Sequence, residues 1–253
     1  MQIAILTSAP DIIDTYLSNT ILRQAMLNDS VSIHVIDIRN HSKGNYKQID
    51  DIPYGGGDGM VLMAEPLMKA IDYSFELLSS EIEDTRVVYP SPLGKKWNQR
   101  EAQECVSVKN FIFICGRYKG IDQRVVDKYV THEYSIGDYV ISNGELSSMV
   151  LIDSIIRLNP GTLNNIQSAK TDSFSTELLD HPHYTRPRVV DGLSVPKVLI
   201  GGHHDNIRSW RKDKSLMITR EKRPDLWKRY NKKIKELEYN LSLIHISEPT
   251  RPY

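Results

Sequence analysis

The sequence predicts an α/β protein with a parallel sheet in its N-terminal two thirds and a small, basic, mainly helical C-terminal domain. Three observations carry this. Short apolar runs alternate with helix-periodic segments as far as residue 158, as in βα repeats that build a parallel sheet. Several of those runs end directly in glycine-bearing turns. Beyond residue 204 the texture turns basic, with 12 Lys/Arg against 4 Asp/Glu over residues 205–235.

The elements follow in order. Residues 1–7 are apolar, with no basic lead-in and no small-residue cleavage site, so they read as a first buried strand, not a leader. Residues 11–28 read as helical and residues 31–38 as a strand. Residues 65–78 predict a helix with Pro66 in its first turn and Leu67, Ile71 and Leu78 at helical spacing. Residues 87–89 form a short strand. Asn98, with Glu101 three residues later, opens a further helix in capping-box style. Residues 111–115 are unbrokenly apolar and run into Gly116, which suits a strand buried on both faces.

Residues 145–158 predict a long helix whose apolar face holds Leu146, Met149, Val150, Ile152, Ile155 and Ile156. From Asn159 the chain becomes rich in Asn, Ser, Thr and Asp after Pro160-Gly161, which marks an interdomain linker or lid over residues 161–177. The organisation expected is therefore residues 1–160, then that linker, then a basic domain over residues 178–240. Residues 241–253 (LSLIHISEPTRPY) break the Lys-rich helical pattern and resemble translated adapter or vector sequence, so they are expected to be a non-native tail.

Composition excludes several classes. At 253 residues, with 40% hydrophobic and 25% charged side chains, the chain can bury one large core or two unequal ones. No apolar run approaches the roughly 18 residues of a membrane span. Two cysteines are too few for a disulfide framework or a structural zinc site, and a cytoplasmic location is expected. The formal net charge is zero, but the basic C-terminal segment joined to a mildly acidic body is what docking on a polyanion requires.

Four glycine-containing loops carry the chemical signal: residues 54–60 (YGGGDGM), 91–94 (SPLG), 115–122 (CGRYKGID) and 135–145 (SIGDYVISNGE). Ligands of parallel α/β sheets sit beyond the carboxyl ends of the strands, where glycine lets the backbone approach a flat ligand. Neither the P-loop nor the Rossmann phosphate fingerprint is present, so an adenosine-like group held by backbone fits better than a nucleoside triphosphate.

The strings IDDIPYGGGDGM, ICGRYKGIDQRV, SIGDYVISNGE and LLDHPHYTRP resemble the bacterial tRNA (guanine-N1)-methyltransferase family of the trefoil-knot (SPOUT) class. The resemblance runs through Trp210-Arg211 to residues 223–226 and covers residues 1–235 in order. It implies a deeply knotted fold, an S-adenosylmethionine cofactor and a homodimer whose sites use both subunits. It also implies methylation of guanosine 37, beside the anticodon, with the anticodon stem-loop gripped by the C-terminal domain. Cofactor contacts implied are Tyr89, Ser91, Gly94, Gly116, Tyr118, Ser135, Ile136, Gly137, Asp138, Tyr139, Val140, Ile141 and Gly144. RNA contacts are expected at His183, Arg186, Arg208, Arg211 and Lys212.

Methylating N1 of guanine requires loss of its proton, and negative charge then spreads towards O6. A carboxylate base and a cationic donor are therefore needed. The residues matching the family's base and arginine are Asp172 and Arg157. The family is associated with Mg²⁺, for which this sequence shows no dedicated site. His181, His183, His203 and His204 lack partners at zinc-like spacing, so no metal is expected there. Two positions depart from the family pattern. Lys119 stands where glutamate is usual, and Asn143 where glycine is usual. Lys119 motivates the alternative of a catalytically impaired tRNA-binding homologue.

Overall fold

The structure, a computed structural model, describes residues 1–19, 21–162 and 172–246. The chain divides into two compact units, Met1–Ile166 and Gln167–Tyr253.

The first unit is built on a five-stranded sheet, β1 (Gln2–Thr7), β2 (Ser32–Asp37), β5 (Thr85–Lys96), β6 (Asn110–Ile114) and β7 (His132–Ser135), in the order β2-β1-β6-β5-β7. Every neighbouring pair is parallel. Two two-residue strands, β3 (Asp50–Asp51) and β4 (Val61–Leu62), form a separate antiparallel pair. The parallel sheet expected from the alternating pattern is thus present.

Side-chain alternation divides the core into two layers. Ile3, Ile5, Val88, Phe111 and Phe113 face one way, towards α1 (Pro10–Asn19), α2 (Ile21–Leu27) and α6 (Gly144–Ile156). Ala4, Leu6, Val87, Ile112 and Ile114 face the other, towards α3 (Ala64–Leu78) and α5 (Gln123–Tyr129). Both faces being covered, the central strand β6 is apolar at successive positions instead of alternating. Removing one of its side chains, as in Ile112→Ala, leaves a cavity that costs about 2–5 kcal/mol.

Several elements differ from expectation in instructive ways. Of the helix expected over residues 11–28, α1 and α2 are helical, and residue 20 between them lies outside the described residues. The short strand at residues 87–89 is a 12-residue strand, because β5 resumes pairing with β7 after an irregularity between Pro90 and Lys95. Asn98 does cap α4 (Gln99–Cys105), accepting from the Arg100 and Glu101 amides. Glu101, however, turns away from the cap to pair with Lys95 at 2.7 Å. On α6, Met149, Ile152, Ile155 and Ile156 are buried as expected, whereas Leu146 and Val150, one turn apart, are about half exposed.

Among its described residues the second unit holds two α-helices, α7 (His204–Lys222) and α8 (Pro224–Ile246), separated by Arg223, with Pro224 at the first helical position. Thr219 and Leu226 are buried there. A hairpin, β8 (Val189–Val190) and β9 (Leu193–Ser194), turns through Asp191 and Gly192, both at positive φ. That Asp-Gly pair between Val189-Val190 and Leu193-Ser194 is a sequence signal for a tight hairpin, and the sequence reading passed over it. Most of the expected linker, residues 163–171, lies outside the described residues. So do residues 247–253 of the expected tail, whereas residues 241–246 continue α8.

Candidate functional site

Because β6, β5 and β7 are adjacent, the loops at their carboxyl ends converge. Together they line a cleft of about 200 Å³. Tyr89 and Ser91 come from β5; Gly116, Tyr118 and Lys119 come from the loop after β6; Ser135 through Gly137 and Tyr139 through Gly144 come from the loop after β7. Of the implied cofactor contacts, all line the cleft except Gly94 and Asp138.

Gly94 has a different duty. A Cβ there would stand 2.5 Å from the Glu133 carbonyl carbon and closer still to the Tyr134 backbone. Glycine is needed so that β5, past its irregularity, can lie directly against β7. Asp138 is exposed, with its neighbours on either side turned into the cleft.

The cleft is closed by backbone approach. The Gly144 amide donates to the Gly116 carbonyl at 2.7 Å, and Arg117 and Asn143 form an isolated β-bridge. A Cβ on Gly116 would meet the Tyr89 ring at 2.8 Å. Gly137 combines φ +147° with a would-be Cβ 2.5 Å from the Tyr139 ring. These are cradle positions, where any side chain would fill the space or push an aromatic ring aside. Ser135 fixes the third loop from its start, its Oγ accepting from the Gly137 amide at 3.3 Å. Burial first, and then the charge of Glu133, hold the Tyr89 phenol above its ordinary pKa, so it is a neutral hydroxyl at physiological pH.

The glycine loop at residues 54–60 does not line the cleft, but it is tied to the loop that does. The Lys119 amide donates to the Met60 carbonyl and the Leu62 amide to the Gly120 carbonyl, both at 3.0 Å. Lys119 itself lines the cleft, its aliphatic stem against Gly59. Asn143 has φ −158° and ψ 162°, so the position at which the family pattern carries glycine asks for no left-handed backbone here. The sequence reading missed Tyr134 and Ser147, which also line the cleft. Tyr134 looks like an ordinary core aromatic, and Ser147 lies a turn inside α6.

Beneath the cleft, Glu145 is fully buried in the first turn of α6, where the helix dipole favours its charge. It accepts from the Thr7 hydroxyl at 2.5 Å, joining α6 to the end of β1.

A family model described as tRNA (guanine-1)-methyltransferase TrmD matches residues 1–229. The chain belongs to this tRNA (guanine-1)-methyltransferase family. A tRNA (guanine-N(1)-)-methyltransferase of Clostridioides difficile is 42% identical over 233 residues, 92% of this chain and 100% of the relative. Its namesake in Listeria monocytogenes serovar 1/2a is 44% identical over 232 residues, 91% of this chain and 93% of the relative. That of Halalkalibacterium halodurans is 46% identical over 226 residues, 89% of this chain and 91% of the relative. These names support the methyltransferase reading over that of an impaired binder.

The two residues matching the family's catalytic pair stand in different units. Arg157 is the exposed C-cap of α6, its amide donating to the Asp153 carbonyl at 3.0 Å. Asp172 is partly buried and opens a turn in which the Ser175 amide donates to its carbonyl at 3.3 Å. Arg208, Arg211 and Lys212 are all exposed on α7. His183 is exposed and bonds Asp180 at 2.9 Å, while Arg186 is exposed. Burial works against ionising Asp180, but the hydrogen bonds from His183 and the His181 amide prevail and hold its carboxyl below the usual range.

Proposed function

We propose that this chain transfers a methyl group from S-adenosylmethionine to N1 of guanosine 37 in tRNA, and that it does so as a homodimer. The observation that carries the reading is the convergence of three loops from adjacent parallel strands on one glycine-lined cleft in a chain of this family. The cradle suits S-adenosylmethionine: Gly116 and Gly137 leave space that a side chain would fill. Gly116 and Gly144, in backbone contact although 28 residues apart, are the natural crossing point of a trefoil knot.

S-adenosylmethionine, when bound, supplies a methyl group on a sulfonium. The chain's own residues prepare the acceptor. Asp172 takes the N1 proton, and Arg157 donates to O6 as negative charge gathers there. N1, freed of its proton, would then take that methyl group as its bond to sulfur breaks, leaving S-adenosylhomocysteine. Lys119 brings a positive charge to the cleft wall.

Residues 178–240 provide the tRNA grip, for which the exposed cations of α7 are the means. Leu146 and Val150, half exposed on an otherwise buried helix, give a homodimer an apolar surface to bury. No helix among the described residues is long and apolar enough to cross a membrane. We place the protein in the cytoplasm, with its tRNA.

The test uses purified protein, S-adenosylmethionine labelled in its methyl group, and unmodified tRNA transcripts carrying G or A at position 37. Label should enter the G37 transcript alone. Transfer to neither transcript, or to both equally, would overturn the reading.

A further inference from the structure

We propose that Asp180, His181 and His183 bind a divalent transition-metal ion of the zinc class. Their donor atoms all lie within 4.8 Å of one another. The spacing D-H-P-H matches no zinc pattern, and only the folded segment shows that Asp180 supplies the third donor to the two imidazoles.

The hydrogen bonding of His181 is the decisive detail. Its Nδ1 lies 3.1 Å from the Pro182 carbonyl oxygen, which can only accept, so Nδ1 carries the proton. In the neutral ring Nε2 then presents a lone pair, and it faces Asp180 Oδ1 at 3.7 Å. A lone pair and a carboxylate oxygen repel unless a cation, a metal ion or a proton, stands between them. An imidazole whose far nitrogen is fixed by a backbone carbonyl is also the usual arrangement of a metal ligand. His183 Nε2 hydrogen-bonds the other oxygen, Asp180 Oδ2, at 2.9 Å, and a bound ion would take the place of that proton.

These separations are close to those of shared ligands. Donors about 2.0–2.2 Å from one ion at roughly tetrahedral angles stand about 3.3–3.5 Å from each other. Small rotations of the two rings would bring both contacts to that value. Two imidazoles and one carboxylate suit Zn²⁺, Co²⁺ or Ni²⁺, whereas Mg²⁺ and Ca²⁺ take oxygen ligands. With three protein ligands and His183 exposed, a further position is open to water, and the ion would exchange.

The place matters because of what the segment carries. The Asp180 amide donates to Ser173 Oγ at 2.9 Å, and the Phe174 amide to the Leu178 carbonyl at 2.8 Å. An ion on Asp180 would therefore brace the turn that begins at Asp172. That consequence rests on Asp172 being the base; the binding of the ion does not.

The experiment is a Co²⁺ titration of the full chain, freed of any affinity tag and stripped by chelator, followed by the visible bands of the bound ion. No tRNA or methyl donor is present, so the result is independent of whether the chain methylates anything. One Co²⁺ per chain is expected, displaced by Zn²⁺ and untouched by excess Mg²⁺. His183→Gln, at an exposed position that does not endanger folding, and Asp180→Asn should each weaken binding tenfold or more. Failure of the wild-type chain to bind one equivalent would mean that a proton on His181 fills the gap, and would refute the site. Undiminished binding by both variants would place the ion elsewhere and refute it equally.

Discussion

Gly144 and Gly116 touch through their backbones. The amide of one donates to the carbonyl of the other at 2.7 Å, and a Cβ on Gly144 would stand 2.8 Å from that same oxygen and nearer still to the Gly116 nitrogen. The loop after β7 and the loop after β6 can lie this close only if residue 144 has no side chain. Gly144→Ala should therefore destabilise the fold by about 1–3 kcal/mol, the ordinary cost of overpacking a site that cannot give. Gly56→Ala is the control: its φ is +77° but nothing lies within 4 Å, so only backbone strain is added. Urea midpoints of the two variants decide the matter. Equal midpoints would show that the crossing has slack.

Gly137→Val tests the cradle itself. A branched side chain at φ +147° must displace the Tyr139 ring, so S-adenosylmethionine binding should be lost while the β-sheet core stays intact. Calorimetric titration beside a thermal melt separates the two effects. Wild-type affinity in a folded variant would place the cofactor elsewhere.

Asp172→Asn keeps size and most hydrogen bonding but removes proton acceptance. Single-turnover methyl transfer at saturating tRNA should slow by about 10²–10⁴-fold, with cofactor affinity little changed. Arg157→Lys keeps the charge and loses the planar fork, and should cost rate before stability, since Arg157 is exposed at a helix end. An Asp172→Asn enzyme that retains most of its rate would remove Asp172 from the mechanism.

Neutralising Arg208, Arg211 and Lys212 together should flatten the dependence of log affinity for tRNA on log salt. The slope should change by about 0.7–0.9 for each phosphate that the protein no longer neutralises. Filter binding across a salt series reads this directly. An unaltered slope would make that face of α7 merely solvated.

Cys105 and Cys115 are both buried, and burial above all pushes each thiol above its ordinary pKa. Thiolate is the reactive form, so neither cysteine should react with a thiol reagent at neutral pH while the protein is folded. Both should react once it is unfolded in urea. Prompt labelling of a native cysteine would show that α4, for Cys105, or the end of β6, for Cys115, opens locally.

The sequence by itself determined the alternation of strand and helix, the two-sided burial of β6 and the three loops that meet in the cleft. Each is written in local terms, as apolar runs, periodicity and glycine directly after a strand. The motifs within those loops also determined the family, and with it the chemistry proposed. Tertiary structure alone decided which glycines line the cleft and which serve strand packing. Gly94 and Gly116 look alike in sequence, but one lies against the β7 backbone and the other against the Tyr89 ring. It also showed that Asn143 sits in extended backbone, and that Leu146 and Val150 face outward on a helix buried at most other positions. Asp180 joined His181 and His183 only there. In each case the deciding quantity is a distance between groups brought together by folding, and a distance of that kind leaves no periodic trace along the chain.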